Sequence, residues 1–444
     1  MHTFIGIDLG TSATKGVLLA ADGRVLATAR RPTELLRPRP GWVEFSATRC
    51  YEILCDVIRE LAASVPAGGS VRAIALSGAT GNTLLLDKDG APLGNAVNWM
   101  DTRAADDPRV DPPGIPPAEI YRAAGWPYFR GFPLVTLAWL RQNRPQEFGR
   151  AAIAGMNITY LFHRLCGRYG MDPSTATTFY LQDQEQRAWN QPLLDWLGLR
   201  PEQLPALLSS GSVLGRVTKS AAAETGLPAG AAVVLGAFDH PSAARGCGVL
   251  NPGELLLSCG TSWVGFYPVA DRELALSQQM LVDPFLAPAG PWGAMFSLPR
   301  VGEKVQAFVD ATFAAEPTPA ARYRRFNEAA ARAPAGSSDP CRALMEGIAR
   351  QMREKMEKLA GAGLRARRIV MVGGPTESAI WTQILADELG VAIALPESGA
   401  FAGALGAAIL AGIGVRVFAD ETAGFARVRS GCRTVKPTTR SVRA

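Results

Sequence analysis

The chain is poor in the residues that most often build metal centres and covalent cross-links. Of its 444 residues only three are His, and seven are Cys. The cysteines (Cys50, Cys55, Cys166, Cys247, Cys259, Cys341 and Cys432) are odd in number, irregular in spacing and without a C-x-x-C pair. That argues against structural zinc and against a disulfide framework, and a reducing cytoplasm is the expected compartment. Charge is scarce too. Asp, Glu, Lys and Arg make up 19% of the chain against 48% hydrophobic residues, which excludes wholesale disorder. No Lys or Arg precedes Asp8, so the opening does not read as a signal peptide. The most apolar late run, Gly403 to Val415, is 13 residues of mostly Gly and Ala, too short to cross a bilayer. Acids are missing from Arg427 onward, where six bases account for the whole net charge of +6. A neutral body with a loosely docked basic tail over 427–444 points to neither a nucleic-acid nor a membrane partner.

What is there reads as a multidomain α/β protein. At roughly 100–200 residues per domain, the length allows two to four domains. Apolar runs at Thr3–Ile7 and Gly16–Ala20 flank a small polar turn, and Val25–Ala29 follows the hairpin signal Asp22-Gly23. The chain therefore begins with an antiparallel meander. Thr48–Ala63 places Tyr51, Leu54, Cys55, Ile58 and Leu61 at helical spacing, and Val71–Leu76 reads as a strand. A hairpin is expected around Asp87–Gly90, and helices over 134–141 and 153–165. Near Ala231 a second set begins. Leu255–Gly265 repeats the opening pattern of apolar strand, Gly-Thr-Ser turn and apolar strand, which suggests an internal duplication. Later, a helix over 340–360, a buried strand Ile369–Val372 running into Gly373-Gly374, a helix over 378–389, a strand over 391–395 and a small-residue helix over 403–411 are expected. The boundary is placed near Gly248–Gly253.

The turns carry the chemistry. Gly10-Thr11-Ser12 and Gly260-Thr261-Ser262 expose backbone N–H groups and hydroxyls, which suits phosphate oxygens. Asp8, on the strand entering the first turn, can hold Mg²⁺, and Lys15 adds charge. A single such turn is weak evidence, but two, one in each half, can grip the phosphates of one nucleotide. Gly373-Gly374 offers close backbone approach to a base, or an ordinary strand-to-helix turn. Asp239 follows the strand Val233–Leu235. It reads either as a general base for a hydroxyl nucleophile or as a helix N-cap. Trp99, Asp101 and Arg103 alternate, so in an extended segment all three face one side. They suit a polyhydroxylated ligand, or else a core Trp beside a local ion pair.

Taken together, these segments resemble the FGGY carbohydrate kinases, whose superfamily shares its fold with actin and hexokinase. The similarity runs through Gly6–Ser12, Leu85–Gly90, Trp99–Arg103, Met171–Thr177 with Leu181–Asp183, Leu204-Pro205, Gly211–Gly215, Gly236–Gly246, Leu257–Ser262, Arg342–Gly347 and Gly373-Gly374. The resemblance implies two ribonuclease-H-like α/β domains with a central cleft. The first (1–248) would bind sugar and carry the base, and the second (249–426) would bind nucleotide. It implies Mg²⁺-ATP as donor, Asp8 near the metal and Asp239 as base. Gly10, Thr11, Ser12, Lys15, Gly260, Thr261, Ser262, Gly373 and Gly374 would hold ATP. Thr80, Asn82, Trp99, Asp101, Arg103 and Asp239 would line the sugar site. The implied reaction is phosphorylation of a small sugar or polyol, with a ketopentose such as xylulose leading. Ribulose, hexuloses, tetruloses and glycerol-like polyols come after it. A non-catalytic sensor and an actin-like assembly ATPase are the other classes that share the scaffold. Homodimers are common in the family.

The chain also departs from the pattern. Ala79-Thr80-Gly81-Asn82 follows Ser77-Gly78 where many xylulose kinases carry Gln-Met-His-Gly. Thr136 stands where a Lys is frequent, and Pro375 replaces a common third Gly. The stretch between Gly336 and Arg342 is short, which trims the second domain.

Overall fold

The computed structural model describes residues 1–286 and 290–438. It divides into two compact units, neither contiguous in sequence. The first comprises Met1–Gly248, Leu281–Trp292 and Phe401–Arg429; the second comprises Val249–Met280, Gly293–Ala400 and the segment from Ser430 onward. The expected boundary after Gly248 is present, but the expected division into 1–248, 249–426 and 427–444 needs correction. Two later segments return to the first unit.

In the first unit, six strands form one sheet in the order Val213–Arg216, Ala232–Phe238, Ser70–Gly78, His2–Leu9, Ala13–Ala20, Val25–Pro32. The last three are the expected antiparallel meander. His2–Leu9, Ser70–Gly78 and Ala232–Phe238 run parallel, so Leu9, Gly78 and Phe238 end at the same edge. Helix Ala47–Ala63 buries Tyr51, Leu54, Cys55, Ile58 and Leu61, and Ser46 caps it by accepting the Arg49 N–H at 3.2 Å. Helix Ala402–Gly414 packs here, against the sheet. Ala404, Leu405, Ala407, Ala408 and Ile409 form one core with Phe4, Val17, Ala73, Ala75 and Val234 of the sheet. The 18-residue window Glu397–Gly414 is apolar enough to cross a membrane by length and composition, longer than the 13-residue run expected. Its residues Ala402–Gly412 are buried in this core.

Local corrections come from strand pairing. The Asp87–Gly90 turn forms, with the Gly90 N–H bonded to Asp87 O at 3.0 Å. Leu84–Leu86, however, pairs with Ile153–Gly155. That strand takes the first residues of the helix expected at 153, which begins instead at Asn157.

The second unit repeats the plan. Six of the seven strands of its sheet run in the order Trp292–Leu298, Trp263–Val269, Glu254–Cys259, Arg368–Gly373, Ile393–Pro396, Cys432–Val435. Glu254–Cys259 is antiparallel to Trp263–Val269 and parallel to Arg368–Gly373, as His2–Leu9 is to its own neighbours. Helix Pro340–Gly361 buries Met345, Ile348, Met352 and Leu359, with Asp339 capping the Arg342 N–H at 2.9 Å and Pro340 at its first position. The basic tail is not loose over its first part. Arg427 ends helix Glu421–Arg427, and Cys432–Val435 closes the sheet edge against Ile393–Pro396. Arg440 and Arg443 lie outside the described residues.

Candidate functional site

In the first unit, the candidate residues gather where the parallel strands end. Asp8 sits opposite Lys15 across the hairpin and beside Ser77 of the neighbouring strand. Its Oδ1 is buried and has no hydrogen-bond partner among the described residues. A Cβ on Gly403 would stand 2.8 Å from Asp8 Oδ2, so only glycine lets the start of helix Ala402–Gly414 reach this carboxyl. Burial pushes the Asp8 carboxyl up to about 7; the Asp239 charge acts in the same direction and Lys15 opposes it. A carboxyl with a sealed, unpaired oxygen and a second carboxyl near it is a place where a divalent cation restores balance. Among the described residues no cluster of three His, Cys, Asp or Glu exists. The carboxyls of Asp8 and Asp239 suit Mg²⁺, which needs one or two carboxylates besides phosphate and water.

The first turn is held from outside. The Gly10 N–H bonds Ala13 O at 3.1 Å, the Thr33 N–H bonds Ser12 O at 3.1 Å, and Thr33 Oγ1 donates to Gly10 O at 2.8 Å. Trp99 is 41% exposed, and its Nε1 donates to Thr11 Oγ1 at 3.3 Å, so it reaches the turn itself.

Asp239 is the first residue of helix Asp239–Gly246, with Phe238 at the cap position. Its Oδ1 accepts the His240 N–H at 2.7 Å and lies 3.9 Å from His240 Nε2. Oδ2 takes no hydrogen bond among the described residues, and the side chain is 31% exposed. Asp239 is therefore not the helix N-cap; one oxygen takes the adjacent His240 N–H and the other is left for chemistry.

The remaining substrate candidates separate. Thr80 is buried, and its hydroxyl accepts from Thr178 Oγ1 at 2.7 Å. Asn82 Oδ1 accepts the Asn157 N–H at 2.7 Å, and Asn82 lines a cavity together with Thr11, Cys50, Asn98, Trp99 and Asn157. Asp101 and Arg103 do not accompany Trp99. The segment turns at Asn98, with the Asp101 N–H on Asn98 O at 3.0 Å, so the extended alternation expected there is absent. Asp101 takes Arg103 Nε at 2.8 Å and the Val43 N–H at 2.6 Å. Arg103 also binds Glu44 at 2.6 Å and stacks 3.7 Å over Trp42. This is the local ion-pair alternative, with Trp99 left at the surface.

In the second unit, Gly260-Thr261-Ser262 joins Glu254–Cys259 to Trp263–Val269. Segment 300–302 braces it: the Arg300 N–H bonds Ser262 Oγ at 3.2 Å and the Gly302 N–H bonds Thr261 O at 2.9 Å. Gly373 pairs with Cys259, at φ 105°, and a Cβ there would lie 2.3 Å from Cys259 O. Gly373-Gly374 therefore abuts the turn, and both glycines are exposed. A 3₁₀ turn, Gly374–Glu377, then leads to helix Ala379–Leu389.

Residue-by-residue reading missed Ser77 and Ser242. Ser77 Oγ accepts the Ala237 N–H at 3.0 Å and lies 3.0 Å from Ser242 Oγ, which donates to Gly403 O at 2.8 Å. These sealed hydroxyls tie the strand ends to both helices. Isolated serines carry no such signal in sequence.

Comparison with known proteins places the chain in a family. The model for the FGGY family of carbohydrate kinases, N-terminal domain, covers residues 3–246, and that for the C-terminal domain of the same family covers 331–415. The latter range includes helix Ala402–Gly414, which packs in the first unit. An autoinducer-2 kinase of Klebsiella pneumoniae is 27% identical over 490 aligned residues, covering 98% of this chain and 90% of its own length. Its counterpart in Yersinia pseudotuberculosis is 29% identical over 463, covering 93% and 86%. Among solved structures, a xylulose kinase from Rhodospirillum rubrum has a TM-score of 0.86 at 25% identity, covering 98% of this chain and 94% of that one. A Plasmodium falciparum glycerol kinase with ADP shares the fold, with a TM-score of 0.85 at 18% identity and coverage of 98% and 94%.

Proposed function

The chain belongs to the FGGY family of carbohydrate kinases, and from that premise we propose that it transfers a phosphoryl group from ATP to a hydroxyl of a small ketose or polyol, with Asp239 as the base. The observation that carries the reading is the Asp239 carboxylate. It stands at the end of strand Ala232–Phe238 with one oxygen uncommitted and its charge felt by Asp8. Mg²⁺-ATP, when bound, supplies the transferable phosphoryl group and the charge that balances it. Asp8, with its unpaired Oδ1, holds the metal. The backbone N–H groups and hydroxyls of Thr261 and Ser262 take phosphate oxygens, with Gly260 leaving room for close approach and Gly373-Gly374 beside them for the nucleoside. Thr11 and Ser12 add donors at the first turn, Gly10 leaves the backbone there without a side chain in the way, and Lys15 adds charge. Trp99 offers an apolar plate to the carbon skeleton. Asp239 accepts the hydroxyl proton as the sugar oxygen bonds to the γ-phosphorus and ADP departs. Positioning and charge stabilisation supply most of the rate.

For the substrate, a ketopentose such as xylulose is the leading reading, supported by the likeness to xylulose kinase. A second reading, autoinducer-2, is favoured by the curated relatives.

The test is Asp239→Asn in sugar-dependent ADP release. Turnover is expected to fall roughly 10²–10⁴-fold, the usual contribution of a general base, with nucleotide affinity retained. Near-normal turnover would remove Asp239 from the role.

A further inference from the structure

Below the strand end that presents Asp239 lies a buried polar network that the reaction as described leaves unused. Asp172 and Ser174 come from the start of helix Pro173–Thr177, Arg245 from helix Asp239–Gly246, and Asp283 from strand Leu281–Asp283. All four are at most 2% exposed. Ser174 Oγ donates to Asp283 Oδ2 at 2.9 Å and accepts the Phe238 N–H at 3.2 Å. Phe238 is the residue immediately before Asp239.

Asp172 has a local task, because its Oδ1 caps its own helix at the Thr175 N–H (3.0 Å) and takes Ser210 Oγ at 3.3 Å. Arg245 is directed to Glu421 at 3.1 Å and to the carbonyls of Pro241 and Phe285. Asp283 has neither use. It is an acid in an otherwise apolar strand, and its Oδ1 is sealed without a partner. Stability alone does not account for such a residue, since a buried polar group left unpaired costs free energy that an apolar residue avoids.

We propose that Asp283, acting through Ser174, fixes the backbone at Phe238 and so aims the Asp239 carboxylate, which makes Asp283 and Ser174 positioning residues for phosphoryl transfer. This rests on the reading of Asp239 as the base. The chain of contacts gives the reason. With its proton donated to Asp283, the Ser174 hydroxyl is held in one rotamer with its lone pairs toward the Phe238 N–H. Without that acceptor the hydroxyl is free to turn, and the residue before Asp239 loses its fixed partner. Misplacement of a reacting group by about 1 Å costs on the order of 10²-fold in rate.

The charged groups around Asp283 give the role a pH signature. Burial pushes the Asp283 carboxyl up to about 8; Ser174 and Arg245 oppose the rise, and Asp172 and Asp239 add to it. At neutral pH the carboxyl is an uncharged acceptor. As pH rises through 8 it ionises and sets a second negative charge against Asp239 and Asp172, facing Arg245. Turnover falls on that limb.

The test compares Asp283→Asn, Asp283→Ala, Ser174→Ala and the Ser174→Ala/Asp283→Ala double variant in full-length enzyme, with kcat and KM for Mg²⁺-ATP measured from pH 6 to 9.5. Asn keeps the acceptor oxygen and lacks the ionisation, so Asp283→Asn is expected to keep kcat at pH 7 and lose the decline near pH 8. Both alanine variants are expected to lose roughly 10–100-fold in kcat with KM for ATP unchanged. The double variant should be no worse than either single one, the mark of residues acting as a unit. Additive losses, or an unchanged alkaline limb in Asp283→Asn, would overturn the proposal. The Asn variant decides the matter if the alanine variants fail to fold. Asp239→Asn, run alongside, separates the two readings: its activity falls if Asp239 is the base, whatever the Asp283 variants do.

Discussion

In the first turn, Asp8 stands two residues before Gly10 and faces Lys15 across the hairpin. In the second, the same place is taken by Ser258, which faces Val264. The backbone plan is shared down to the parallel strand on the far side, Ser70–Gly78 in one case and Arg368–Gly373 in the other. The charge is not shared. Among the described residues, the carboxyls whose ionisation is made harder by burial are Asp8, Asp172 and Asp283, and all lie in the first unit. The duplicated scaffold has therefore diverged in its electrostatics rather than its geometry. One turn carries a buried carboxyl, which suits a cation; the other offers neutral donors, which suit anionic oxygens.

Three substitutions sharpen that contrast. The largest effect is expected at Asp8. Asp8→Asn keeps the shape and deletes the charge, so turnover should drop about 10²-fold or more, and more Mg²⁺ should be needed for half-maximal rate. Steady-state kinetics over a Mg²⁺ series reads both, and an unchanged Mg²⁺ dependence would remove the metal from Asp8. Next comes the reverse operation, Ser258→Asp, which imports the first turn's acid into the second. A carboxylate beside bound phosphates should raise the ATP KM about tenfold through Coulomb repulsion, with the sugar KM little changed. A shift in the sugar KM alone would mean that the two turns do not divide the work in this way. The smallest effect is on stability. The folded state holds Asp283 protonated to about pH 8, whereas the unfolded chain ionises it near the usual 4. Ionisation therefore favours unfolding progressively between those values and no further above them. Asp283→Asn escapes this loss. Its Tm relative to the unsubstituted protein should climb from pH 4 to 8 and then level off, as thermal melts across pH would show.

How much of the fold was legible in the sequence depends on how local the causes are. The meander, the helix Ala47–Ala63 and the strand into Gly373 are written in alternation, helical spacing and turn residues, each within some twenty positions. The two Gly-Thr-Ser turns and Asp239 were visible because strand-turn-strand patterns announce them. Three features were not visible, each for a physical reason. Helix Ala402–Gly414 is packed by Gly and Ala, whose small faces fit many partners, so nothing local assigns it to the first sheet. Cys432–Val435 is a strand because a sheet edge waits for it, despite its basic composition. Asp101 and Arg103 were expected to face a ligand with Trp99, but a turn at Asn98 breaks the alternation, and Glu44 and Trp42, distant in sequence, complete the pair's surroundings.

The central claim is that this chain phosphorylates a small sugar or polyol. The direct measurement is ADP release with Mg²⁺-ATP across xylulose, ribulose, fructose, erythrulose, glycerol, gluconate and autoinducer-2. The predicted result is strong stimulation by one compound of the set, with xylulose and autoinducer-2 the leading candidates, and its loss in Asp239→Asn. Silence across the set from protein that binds ATP would contradict the claim.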